Sequence, residues 1–182
     1  PCDDNSVGEE FYDFDGANSL SSPVSLNANH LVVGKANAAG QWQWYARVDN
    51  VEFYSSSMAH DSCGNLYVVC ILLAGNTARF YDRNDANSIT TDVYADNAIL
   101  LCKLSREGYW EWFNRISPFV DSDEYYMTNV EVSHDVVYVR FNLPAGYSTV
   151  LYDVGGLTNF NVGFVSSTQQ PIVTCSVDGK WT

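Results

Sequence analysis

Closely spaced oxygen donors are the first residues in this sequence that could do chemistry. Asp13, Asp15 and Asn18, in the run DFDGAN, bring carboxylate and amide oxygens together in a way that suits a hard cation such as calcium, and Asp82, Asn84, Asp85 and Asn87 echo them. Neither run has the later bidentate Glu of an EF-hand, and Asp and Asn so placed more commonly brace turns with their own side chains. A second cluster is Asp121, Asp123 and Glu124, followed by Tyr125 and Tyr126. Paired carboxylates can hydrolyse a glycosidic bond when they face each other across the sugar at roughly 5 to 9 Å, a gap that sequence neighbours on one loop do not supply. The two tyrosines could stack on a sugar or on a partner peptide. His30, His60 and His134 fall at no metal-ligand spacing with one another, and Cys63 and Cys70 lack the second pair that would complete a zinc site. No motif sets a Ser or Cys nucleophile beside a base. These residues lead to the expectation of a protein that is not an enzyme and carries no metal or cofactor.

The elements that must position such residues are strands. Hydrophobic residues make up 46% of the 182 and charged residues 17%, with Val, Tyr, Phe, Trp, Ile and Thr abundant, a composition that favours pleated, half-buried surfaces. A chain this long forms one domain and buries roughly 70% of the surface its unfolded form exposes. The net charge of −13 repels phosphate backbones and anionic membranes, so neither nucleic acid nor a membrane is an expected partner. No apolar run reaches the ~20 residues of a membrane helix, and PCDDNSVGEE lacks a secretory pattern. Five cysteines, an odd count in apolar contexts such as Val69-Cys70-Ile71, read as reduced thiols of an intracellular compartment.

Sliding the chain along itself exposes an internal repeat. FYDFDGANSL from Phe11 aligns with FYDRNDANSI from Phe80, and Leu151-Tyr152-Asp153 opens a third copy. LVVGKANAAGQWQWYARV from Leu31 aligns without a gap with ILLCKLSREGYWEWFNRI from Ile99, and PIVTCSVDGKW is a third version ending at Trp181. GNLYVVCILLAGNTARFYD from Gly64 aligns with DVVYVRFNLPAGYSTVLYD from Asp135, which pairs Tyr67 with Tyr138. The chain therefore divides into a flexible N-terminus (1–10), a first repeat (11–79), a second (80–150) and a truncated third (151–182). All five tryptophans, Trp42, Trp44, Trp110, Trp112 and Trp181, occupy one W-x-W site. An aromatic that recurs in every unit is most simply the residue that packs one unit on the next.

Strand alternation predicts that Trp42, Trp44, Ala46 and Val48 share a face and Gln41, Gln43, Tyr45 and Arg47 the other. LYVVCILL from Leu66 is apolar on both faces, as a strand sandwiched between neighbouring sheets would be. Ala39-Gly40, Glu107-Gly108 and Asp178-Gly179 read as hairpin turns before the tryptophans. The expected fold is all-β, built from tandem repeats of about 70 residues arranged as β-propeller-like blades, with a β-sandwich as the alternative.

Lys35 and Lys103, Gly40 and Gly108, the W-x-W pairs, and Asp61-Ser62-Cys63-Gly64-Asn65-Leu66-Tyr67-Val68 together resemble β-propeller repeats of the SBBP type. The second unit departs from that pattern, with Ser133-His134-Asp135-Val136 in place of D-x-x-G-N. Such repeats occur in bacterial proteins and in proteins of large DNA viruses, so the resemblance implies a binding or structural scaffold, virion-associated in a viral setting. It brings no catalytic residues. Two and a half units cannot close a ring of blades, so a homo-oligomer is expected, together with an unidentified protein partner. The contacts would come from the unit-specific loops 49–57, with Phe53 and Tyr54, and 117–129, with Asp121, Asp123, Glu124, Tyr125 and Tyr126. A carbohydrate-binding module is the alternative function, and a propeller-type glycoside hydrolase a more distant one.

Overall fold

Short β-rich runs separated by glycine turns can satisfy their backbone groups locally as hairpins, and hairpins are the unit from which this molecule is assembled. The structure, a computed structural model, describes residues 9–12, 19–22, 29–52, 57–83, 88–118, 129–154, 159–163 and 166–182. Among the described residues there is no helix apart from single-residue helical turns, and the strands follow one another as antiparallel pairs. They are β1 (Glu9–Tyr12) with β2 (Ser19–Ser22), β3 (His30–Ala36) with β4 (Trp42–Asp49), and β5 (Met58–His60) with β6 (Leu66–Leu72). Next come β7 (Arg79–Tyr81) with β8 (Ser88–Thr90), β9 (Ala98–Leu104) with β10 (Trp110–Ser117), and β11 (Asn129–Ser133) with β12 (Val136–Arg140). The last are β13 (Thr149–Tyr152) with β14 (Asn159–Val162), and β15 (Ile172–Ser176), which is bridged to Trp181 through Cys175.

Hairpins distant in sequence then join edge to edge. The largest sheet has the order β14-β13-β10-β9-β6-β5, a second runs β3-β4-β7-β8, a third β11-β12-β15, and β1-β2 form a small pair. No sheet closes on itself among the described residues. The six-stranded sheet lies between two apolar cores. On one side Leu31, Val33, Trp44, Val48 and Phe80 pack with Val68, Cys70, Leu100, Cys102 and Trp110. On the other, Tyr67, Val69, Leu101, Trp112 and Ile116 pack with Val130, Val137, Val139, Val173 and Trp181. Every residue of β9 is buried, and six of the seven in β6 are, so LYVVCILL does run through the middle layer with both faces covered.

The turns ahead of the tryptophans share one geometry. Gly40, Gly108 and Gly179 have φ of 78°, 90° and 81°, a region L side chains avoid. In each turn the glycine N–H donates three residues back, to the carbonyl of Asn37, Ser105 or Ser176. Those same residues donate forward to Gln41, Tyr109 and Lys180. The Asp61 turn repeats this geometry, with Gly64 at φ 82° donating to the Asp61 carbonyl and Asp61 donating forward to Asn65, whereas His134 and Asp135, at φ of 50° and 62°, form a two-residue turn closed by Ser133 opposite Val136.

One strand-level expectation is corrected. The pairs Lys35↔Trp44 and Ala36↔Trp42, and likewise Lys103↔Trp112 and Leu104↔Trp110, leave Gln43 and Glu111 as extra residues in β-bulges. A bulge breaks the alternation, so the two tryptophans of each W-x-W do not share a face. Trp110 enters the core shared with β4, while Trp112 enters the core shared with β12 and β15.

Candidate functional site

The bulge turns the Trp110-Glu111-Trp112 run into a two-sided anchor. Trp110 points back, where its indole N–H donates to the Tyr81 carbonyl at 3.0 Å and its ring meets Phe80 edge-on at 5.4 Å. Its backbone N–H donates to Asp82 Oδ1 at 2.8 Å, which uses that carboxylate as a brace. Trp112 points forward and donates to the Val177 carbonyl at 3.2 Å. The turn glycines make room for these rings: a Cβ on Gly108 would lie 2.9 Å from Trp44, and one on Gly179 3.1 Å from Trp112. Trp44, Trp110, Trp112 and Trp181 are buried and Trp42 half-buried. The indoles of Trp44, Trp110, Trp112 and Trp181 are therefore packing elements of the two apolar cores.

Tyr67 and Tyr138, equivalent in sequence, differ in place. Tyr67 is fully buried and donates to Asp61 Oδ2 at 3.2 Å, whereas Tyr138 is 38% exposed on the outer face of the third sheet. Asp61 also accepts from the backbone N–H of Cys63 and Asn65 and from the Asn65 side chain, each at 2.9 Å. Burial pushes its carboxyl up, but the hydrogen bonds from Asn65, Tyr67 and Cys63 outweigh it and hold the group below the usual Asp value. Burial first, then the neighbouring Asp61 charge, drive the Tyr67 hydroxyl far above the ordinary tyrosine range. This carboxylate is committed to its turn.

Phe53, Tyr54, Asp121, Asp123, Glu124, Tyr125 and Tyr126 lie outside the described residues, as do the calcium candidates Asp13, Asp15 and Asn18. The structure brings His60 and His134 to one cavity of about 370 Å³, with Asp61 and Asp135, between the β5–β6 turn of the six-stranded sheet and the β11–β12 turn of the third sheet. Among the described residues no group of three or more His, Cys, Asp or Glu is placed to hold a metal ion. Cys63, Cys70, Cys102 and Cys175 are free; burial raises the Cys175 thiol to about 12, opposed in part by the Asn114 amide. No described helix is long and apolar enough to cross a membrane.

A constellation not singled out in the sequence surrounds Arg115. Its guanidinium carbon lies 3.8 Å from the Tyr152 ring centre and 4.1 Å from that of Tyr94, in a cavity of about 260 Å³ lined also by Thr91, Asp92, Phe113 and Asp153. Burial raises the Tyr94 hydroxyl, Arg115 opposes that shift, and Asp92 adds to it. The one sequence sign was the Arg that follows W-x-W in both complete copies, Arg47 and Arg115. Its partners come from other hairpins, invisible until the strands pair. Compared with protein-family models, curated proteins and solved structures, the chain matches none.

Proposed function

We propose that this protein is a non-enzymatic scaffold for protein–protein contact, assembled from propeller-like units of about 70 residues that stack and associate with further copies of the chain. The observation that carries this reading is the inequality of the sheets. Among the described residues the middle sheet contains three hairpins, whereas the sheet ending at β3 has two and the sheet ending at β15 has one hairpin and a single strand. In the middle sheet β9 pairs with β6 along its full length, from Leu66↔Leu104 to Leu72↔Ala98. The corresponding edge of β3 has no strand beside it among the described residues. A seven-residue edge of this kind is a template for strand addition.

The commitment of the tryptophans, Asp61 and Asp82 to hairpin packing supports a structural rather than a chemical use of the residues most evident in the sequence. The charge of −13 favours protein over polyanionic partners. The resemblance to SBBP-type repeats supports the same class of function and extends it to a virion-associated setting.

Light scattering with multi-angle detection tests the association. A mass at a multiple of the single-chain value is expected, rising with concentration, and a strict monomer across the range would defeat it.

A further inference from the structure

Arg47 and Arg115 hold corresponding positions in β4 and β10. Arg47 stands opposite Tyr81 of β7, and Arg115 opposite Tyr152 of β13. Each guanidinium carbon lies over that tyrosine ring, at 3.9 Å and 3.8 Å. Two residues further along, on the same strand face, the hairpins diverge. Asp49 gives Arg47 an ion pair at 3.1 Å, in a setting where both side chains are largely buried. The matching residue after Arg115 is Ser117, whose hydroxyl donates instead to the Asn97 carbonyl at 3.4 Å. Tyr94 supplies a second ring beside Arg115. The guanidinium is thus held by aromatic rings, and no carboxylate among the described residues lies within ion-pair distance of it.

A planar guanidinium fixed in this way presents a fork of N–H donors that matches a carboxylate in two-point geometry. The cavity around it is about 260 Å³, and Asp92 and Asp153 share its lining. The Asp92 carboxylate beside the guanidinium disfavours a bare anion, but it suits a molecule that carries both signs. We propose that this cavity binds a small zwitterion of the amino-acid or peptide-terminus type. Its carboxylate takes the place at Arg115 that Asp49 fills at Arg47, and its ammonium faces Asp92. The site is independent of the scaffold reading, since it uses only residues of one chain.

Glycylglycine titrated into the full chain, followed through the side-chain Nε–H signals of arginine, tests the site. The Arg115 signal, assigned by its loss in Arg115→Lys, should shift saturably, and acetate and methylammonium should bind at least about tenfold more weakly. Ser117→Asp restores the carboxylate found in the first hairpin and should abolish the shift, whereas Asp49→Ser should leave it unchanged. If Ser117→Asp does not fold, as judged by collapsed amide dispersion, Arg115→Gln replaces it and should likewise lose binding. The absence of a saturable shift, acetate binding as tight as glycylglycine, or undiminished binding in a folded Ser117→Asp or Arg115→Gln protein would each overturn the proposal.

Discussion

The middle and third sheets carry matching strands under different cover, and the difference shows in single residues. Tyr67 of β6 is sealed between layers and tied to Asp61, while Tyr138 of β12 faces outward at 38% exposure. Further along, Val69 of β6 is buried in the core towards β12, and the corresponding Arg140 of β12 is exposed. Val68 and Val139, which both face the neighbouring preceding layer, are buried alike. One face of this strand type is therefore set by what it always packs on, and the other by whether another layer follows.

The largest effect should come from removing apolar volume in the middle layer. Leu100→Ala or Leu101→Ala, at 0% exposure in β9, should cost about 3 to 4 kcal/mol in urea unfolding, whereas Ile172→Ala, 63% exposed in β15, should stay within about 0.5 kcal/mol. Equal losses would erase the distinction between the layers. Next, Gly108→Ala adds a steric clash with Trp44 to the strain at φ 90° and should cost roughly 2 to 3 kcal/mol, against about 1 kcal/mol for Gly75→Ala, where φ is 78° and nothing lies nearby.

The Asp61 brace should come third. Asp61→Ala leaves buried donors unsatisfied and should lower stability by about 2 kcal/mol near neutral pH. Because the folded carboxyl titrates below the usual Asp value, its contribution is complete above that value and disappears as pH falls through the lowered one. The wild type and Asp61→Ala should therefore converge in stability in acid, as followed by thermal unfolding from neutral pH downward; a gap that widens in acid would contradict the assignment. The smallest contrast is a hydroxyl. Tyr67→Phe should cost about 1 kcal/mol and Tyr138→Phe close to none, read from paired urea midpoints.

The all-β class, the glycine turns and the doubly apolar strand at Leu66 were legible because each follows from local composition and period. The facing of the tryptophans was not. Alternation assigns Trp110 and Trp112 to one side, and only the unpaired Glu111 reveals the bulge that separates them. Tyr138 was matched to Tyr67 as a structural position, but exposure depends on a covering layer that no local pattern encodes. The Arg115 cavity was the least visible, since it draws residues from β8, β10 and β13 and from the segment after β8.

The sequence by itself determined that this chain makes hairpins, where they turn, and which strands need cover on both faces, because period, turn residues and apolar content act over a few residues. Tertiary structure alone decided which hairpins share a sheet, which way Trp110 and Trp112 point, and that Arg115 lies against the rings of both Tyr94 and Tyr152. Those outcomes depend on edge pairing between segments far apart in the chain, and on a one-residue bulge that reverses the faces of everything beyond it.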